Sequence, residues 1–220
     1  MRSIIPSIIK NLLCLLVVGV ILSSCARSPI KVACIGDSIT EGTVLEREVR
    51  YGYPEVLDSL LGPGYNVLNC GRTTTTVLRG GNEPYWFHNE FHNVFVFQPD
   101  IITIMLGTND TKPFNWDAAA FERDYQSLID TLQTIPGHPM IYICLPVPVF
   151  RTRWGINDST LTSGVIPTAK EIASRNDLPI IDLYNPLLPY PHYFPDAVHP
   201  NEQGSAEIAR LIAEALSPKK

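Results

Sequence analysis

The sequence predicts an α/β domain built on a parallel sheet of five strands, and three observations carry the prediction. Short apolar runs alternate with longer segments of helical periodicity from Ile30 to Leu216. The runs are apolar on both alternating faces, as strands are when helices cover both sides of a sheet. Three of them stop at a glycine, Gly36, Gly71 or Gly107, where a chain leaving a strand turns into a loop.

Taken in order, Ile30–Ile35 reads as the first strand. Tyr53–Leu61 is a helix closed by Gly62-Pro63-Gly64. Tyr65–Cys70 and Ile101–Leu106 are the second and third strands, with Tyr85 and Trp86 in loop between them. Asp117–Gln133 has helical spacing through Phe121, Tyr125, Leu128, Ile129 and Leu132. Met140–Leu145 is the fourth strand, and the Pro146–Pro148 loop follows. Thr160–Asn176 reads as a helix that Pro167 kinks. Ile180–Leu183 is the fifth strand, and Glu202–Leu216 is a closing amphipathic helix with Ile208, Leu211, Ile212 and Leu216 on one side.

Length and charge bound the function. About 195 residues follow an N-terminal segment that reads as removable, enough for one domain with one sizeable core. The net charge is −5, and the leader takes away Arg2 and Lys10 but no acid. An acidic domain without a Lys/Arg cluster is a poor match for phosphate backbones, so no nucleic-acid partner is expected.

The N-terminus has a positive start and an uncharged apolar stretch, Asn11–Leu22, shorter than the roughly 20 residues of a membrane span. It ends in Leu22-Ser23-Ser24-Cys25, which resembles a bacterial lipobox. The expected organisation is a signal peptide over residues 1–24, a tether over 25–29 and a catalytic domain over 30–220. By that resemblance Cys25 carries the lipid. The anchor is expected in the outer membrane, facing the periplasm, since Ala26, Arg27, Ser28 and Pro29 include no acid. Cys34, Cys70 and Cys144 sit in apolar runs at spacings that fit no metal site, and read as small buried hydrophobes. A Cys34–Cys70 bridge between neighbouring strands is the alternative.

The polar residues of interest follow strands. Ser38 comes after the first, Gly71 after the second, Asn109 after the third, and Asp196 and His199 after the fifth. A parallel sheet binds ligands at this carboxyl edge. A serine hydroxyl becomes a nucleophile when a base takes its proton, and the base needs a third group to orient it. His199 with Asp196 three residues before it supplies both. Gly71 offers a backbone N–H and Asn109 a side-chain NH2 for a developing oxyanion. Alone, Ser38 would read as a helix cap and Asn109 as a turn residue. Asp196 and His199 find no convincing third ligand, so neither metal nor other cofactor is expected.

Gly36-Asp37-Ser38-Ile39-Thr40, Gly71, Gly107-Thr108-Asn109-Asp110 and Asp196-Ala197-Val198-His199-Pro200 resemble, in order, the four signature blocks of the SGNH (GDSL-type) hydrolases. The resemblance implies a flavodoxin-like three-layer α/β/α sandwich and a Ser38–His199–Asp196 triad. It also implies an oxyanion hole from the Ser38 and Gly71 N–H groups and the Asn109 amide. Two departures stand out: isoleucine at position 39, and Arg72 with Thr73–Thr76 after Gly71. The expected activity is hydrolysis of short-chain, acetyl esters on carbohydrates, with Arg72, Trp86, Trp116 and Trp154 as substrate-binding candidates. The segments Lys112–Trp116 and Trp154–Asp158 resemble carbohydrate and sialate O-acetylesterases. A lysophospholipase or thioesterase on the same fold, and a catalytically inactive glycan-binding lipoprotein, are the alternatives.

Overall fold

The five apolar runs form five strands in a computed structural model that describes residues 28–42 and 52–217. The expected leader, Cys25 and the first residues of the tether lie outside the described residues. The strands are β1 (Ile30–Gly36), β2 (Tyr65–Gly71), β3 (Ile101–Met105), β4 (Met140–Leu145) and β5 (Ile180–Asp182). All neighbouring pairs are parallel, in the order β2-β1-β3-β4-β5. Between them run α1 (Ser38–Glu41), α2 (Tyr53–Leu61), α3 (Asn89–Phe97), α4 (Ala118–Leu132), α5 (Ile166–Arg175) and α6 (Glu202–Leu216).

Side chains of a strand alternate between faces, and each face finds its own helices. Ala33 and Ile35 of β1, Ile102 and Ile104 of β3, and Ile141, Ile143 and Leu145 of β4 are buried with residues of α3, α4 and α5. Val32, Cys34, Met105 and Cys144 point the other way, against α2 and α6. The result is the three-layer sandwich. The same alternation settles the cysteines. Cys34 and Cys70 belong to opposite faces of the sheet, so neighbouring strands do not bring their sulfurs together. Cys34, Cys70 and Cys144 are all free and buried.

Two elements depart from the sequence reading. The loop expected between β2 and β3 contains α3, whose Phe91 and Val94 are buried one helical turn apart. The helix expected over Thr160–Asn176 is present but contains a π-helical turn. A short turn at Asp158–Thr160 leads into a π-helical turn, Leu161–Val165, and then α5. The helical run is continuous from 158 to 175, and Pro167 lies inside it, just past the π-helical turn in which the Ile166 N–H bonds to the Leu161 carbonyl.

The strand order has one reversal. The chain passes from β1 outward to β2, then returns across β1 to β3 and continues to β5. The exits of β1 and β3 therefore diverge and leave a crevice between them. Ser38 follows β1 directly and Asn109 lies four residues beyond β3. Gly71 closes the other side of β1. A Cβ there would stand 2.6 Å from the carbonyl carbon of Thr40 and 2.8 Å from Cα of Glu41, both backbone atoms of α1. The contact holds α1 against the end of β2.

Because backbone cannot move aside as a flexible side chain can, Gly71→Ala should destabilise the fold by about 1–3 kcal/mol in urea unfolding. An unchanged midpoint and slope would contradict the close packing of α1 on β2.

Candidate active site

Asp37 caps the short helix after β1, its Oδ1 accepting the N–H of Ile39 at 3.0 Å. Ser38 is thereby the first helical residue, and its own N–H has no acceptor within the helix. Burial pushes the Asp37 carboxyl up to about 6, against the pull of the Ile39 N–H and of the positive charge nearby.

The loop after β5 brings an imidazole. Asp196 Oδ1 accepts the backbone N–H groups of Val198 at 2.9 Å and His199 at 2.7 Å, and its Oδ2 lies 2.7 Å from His199 Nδ1. Ala197 takes a left-handed φ of 75° to close this turn. Burial alone would raise the Asp196 carboxyl, but the N–H groups of His199 and Val198 outweigh it and hold it below its ordinary value. On the far side of the imidazole, Nε2 stands 2.9 Å from Ser38 Oγ. Asn201 then caps α6, its Oδ1 accepting the Gly204 N–H at 3.0 Å, so the helix starts just past Pro200.

The loop after β3 brings the amide. Asn109 opens a single 3-10 turn, Asn109–Thr111, and is buried. Its carbonyl accepts from Asn115 Nδ2 at 3.0 Å, while its own Nδ2 makes no hydrogen bond among the described residues. Next to it, Asp110 accepts the N–H groups of Val77 at 3.1 Å and Leu78 at 2.9 Å, which ties the loop after β2 to the loop after β3. Burial pushes its carboxyl up to about 7.

Ser38, Asn109 and His199 open onto one cavity of about 330 Å³. A larger hollow of about 990 Å³ at the opposite edge of the sheet, lined by Ile30, Tyr65, Met140 and Leu216, has no nucleophile–base pair. Of the four substrate-binding candidates, the structure brings Trp154 to the cavity. It sits at the tip of a two-residue hairpin, with Arg153 N donating to Ile156 O at 3.1 Å and Ile156 N to Arg153 O at 2.8 Å. Trp154 and Gly155 both have positive φ, 53° and 85°. Tryptophan is a costly residue for such a turn, where Asn-Gly is the ordinary choice. The residue is 54% exposed, and its ring lies 5.6 Å from the His199 ring and is covered on one side by the Arg153 guanidinium at 4.4 Å.

The structure places the other three elsewhere. Trp86 is buried against Phe91 and donates its Nε1–H to the Val77 carbonyl at 2.8 Å. Its indole is a core ring under the Arg79 guanidinium. Trp116 packs on Phe121 at 5.4 Å and against Gly164, where any Cβ would strike the indole. Arg72 does not line the cavity; its backbone N–H bonds to the Gly36 carbonyl at the end of the β1–β2 ladder. Gly71 also lies outside the lining, and its N–H donates to Asn69 Oδ1 at 2.9 Å. The lining contains four residues to which the sequence reading gave no site role of their own, Thr73, Thr74, Lys112 and Ile156. Their signal was position, since each lies in a loop that leaves a strand at the edge carrying Ser38.

The model of the GDSL-like lipase/acylhydrolase family matches residues 34–207. The chain belongs to that family, one of hydrolases that act on ester bonds. An acetylxylan esterase of Xylanibacter ruminicola is 37% identical over 206 residues, which is 85% of this chain and 43% of that protein. This chain therefore spans less than half the length of that relative. A rhamnogalacturonan acetylesterase of Bacillus subtilis is 26% identical over 221 residues, covering 86% of this chain and 90% of the other. The solved structure of an acetyl xylan esterase, AlAXEase, superposes with a TM-score of 0.69 at 22% identity, over 86% of this chain and all of the other. That likeness establishes the shared fold.

The Asp110 carboxyl has a folded value of about 7 against an ordinary 3.8. Between those values the folded chain binds a proton that the unfolded chain has released, so this group stabilises the fold more at pH 5 than at pH 8. Asp110→Asn cannot bind that proton and turns an NH2 toward one of the two backbone amides. It should cost about 1–3 kcal/mol in urea unfolding, with a larger deficit at pH 5 than at pH 8. A deficit that grows toward pH 8 would contradict the assignment.

Proposed function

We propose that this GDSL family member is a serine esterase that removes acetyl groups from carbohydrates. The observation that carries the reading is the line Asp196–His199–Ser38 ending beside an unpaired, buried amide on Asn109. In the proposed reaction Ser38 Oγ adds to the acyl carbon as its proton passes to His199 Nε2. The carbonyl π pair moves onto oxygen, where the Ser38 N–H and the Asn109 NH2 receive the charge. Collapse restores the carbonyl, and the sugar oxygen leaves with the proton from His199. Water, deprotonated by the same imidazole, then frees acetate and returns the proton to Ser38.

Three features support an acetyl group on a sugar. The cavity is small, and among its described lining residues Ile156 and Trp154 are the large apolar side chains. A long acyl tail thus finds little surface, at about 0.8 kcal/mol for each buried CH2. The exposed face of Trp154 stands where the alcohol half of an ester would lie, and a flat ring suits the face of a pyranose. The relatives named acetylxylan and rhamnogalacturonan acetylesterase act, by their names, on acetylated polysaccharides. Attachment to a membrane through Cys25 belongs to the same proposal and rests on the Leu22–Cys25 motif.

The test is a p-nitrophenyl ester series from C2 to C12 beside acetylated xylan and its deacetylated control. Activity should fall beyond about C4, acetate should be released from the xylan, and Ser38→Ala should be inert in both assays. Rates that climb to C10 or C12 would replace this reading with a lysophospholipase or thioesterase, and an active Ser38→Ala would remove the mechanism.

A further inference from the structure

The oxyanion position in this cavity is bounded by Ser38, Asn109 and, from the loop after β2, Thr73 and Thr74. The Gly71 amide, which the signature blocks would assign to it, is engaged by Asn69 Oδ1 at 2.9 Å. The same cavity is lined by a lysine, Lys112. It stands three residues after Asn109, and its backbone N–H closes the 3-10 turn on the Asn109 carbonyl at 3.3 Å. In a 3-10 turn the side chains at i and i+3 eclipse, so the Asn109 amide and the Lys112 side chain leave the turn on one side. The lysine is buried, and the Trp154 hairpin roofs its stem: a Cβ on Gly155 would touch Cβ and Cγ of Lys112 at 3.5 Å. Among the described residues its ammonium has no hydrogen bond and no ion pair, although the fields of Asp37 and Asp110 reach it. An unpaired cation on a residue that lines a cavity of about 330 Å³ acts on the charge that develops on an ester bound there.

We infer that Lys112 is a further catalytic residue, its ammonium facing the tetrahedral oxyanion beside the Asn109 amide and adding positive charge there. The inference rests on the esterase reading above. It adds no bond and no proton transfer. When Ser38 Oγ adds and the carbonyl pair moves onto oxygen, the Lys112 cation lowers the energy of the negative oxygen, and it stays protonated throughout. Burial lowers the lysine's pKa, against the opposing pull of Asp37 and Asp110, and the same desolvation strengthens its interaction with an anion in the site.

The experiment uses p-nitrophenyl acetate, a neutral substrate that offers no carboxylate for a lysine to recognise. Lys112→Met should lower kcat and kcat/KM together by about tenfold or more while KM stays within about twofold, the signature of an interaction made only in the transition state. Circular dichroism and thermal melting identify folded variant protein. A folded Lys112→Met at the wild-type rate, or a loss carried by KM, overturns the inference. A second measurement needs no altered fold. In wild-type protein carrying ¹³Cε-lysine, the Lys112 resonance, assigned by its loss in Lys112→Arg, is titrated with and without phenylboronic acid. The anionic tetrahedral boronate on Ser38 should move the lysine's titration to higher pH; a titration that does not move overturns the inference. Ser38→Ala separates the two claims. If it is inert while Lys112→Met is fully active, the esterase reading stands and the role of Lys112 falls. If it retains activity, both fall.

Discussion

The carboxylate of Asp196 gathers three N–H groups from a stretch of four residues, and the geometry of the site follows from that turn. Two are the backbone amides of Val198 and His199, and the third is the ring Nδ1–H of His199. An ionised carboxylate only accepts, so in the neutral imidazole it fixes the proton on Nδ1 and leaves the Nε2 lone pair facing Ser38. The orientation of the imidazole is therefore local. It depends on the left-handed residue Ala197 and on one side chain, with the start of α6 behind it. Arg153 adds a link from outside, its guanidinium reaching the Asp196 carbonyl at 3.4 Å beneath the Trp154 ring.

The rest of the site is held by loops leaving the sheet on the two sides of the β1/β3 divergence, and there the fold gives up stability. Asn109 Nδ2 is buried without a hydrogen-bond partner among the described residues. Such an atom costs about 1–3 kcal/mol relative to a paired one. Asp37, Asp110 and Lys112 add buried charge in the same place. A hydrophobic core of similar volume would be more stable and could receive no oxyanion. The strained Trp154 at the hairpin tip repeats the pattern, a backbone cost borne where a side chain must be presented. Asp110 works in the other direction, since its two backbone bonds to Val77 and Leu78 fasten the loop after β2 to the loop carrying Asn109.

Much of this was legible from residue order. Met140–Leu145, Tyr53–Leu61 and Glu202–Leu216 coincide with the observed elements because each has clear periodicity and an end marked by glycine, proline or a cap. Helix α3 was not legible by pattern, since the run Val94-Phe95-Val96-Phe97 carries β-forming residues and leaves Val96 exposed. A parallel sheet still requires a crossover between consecutive strands, and that rule points to a helix between β2 and β3. For the site, Ser38, Asn109, Asp196 and His199 converge as their order implied. The tryptophans could not be sorted by sequence, because an indole on a loop is equally suited to a core. Trp86 and Trp116 are core rings for reasons that lie in distant partners, the Val77 carbonyl and Gly164. Lys112 was hidden inside a motif read for its aromatic residues, and only the 3-10 turn shows that it shares a side with Asn109.

The central claim is that this alignment makes Ser38 an acyl carrier. The measurement that tests it most directly is acid quenching of the wild-type protein during turnover of p-nitrophenyl acetate, followed by peptide mass spectrometry. The account predicts an acetyl group on the peptide containing Ser38, on the Ser38 hydroxyl, and none when Asp196 and His199 are both replaced by alanine. Turnover with no acetylated Ser38 in a quench fast enough to trap intermediates, or acetyl carried on another residue, would contradict it.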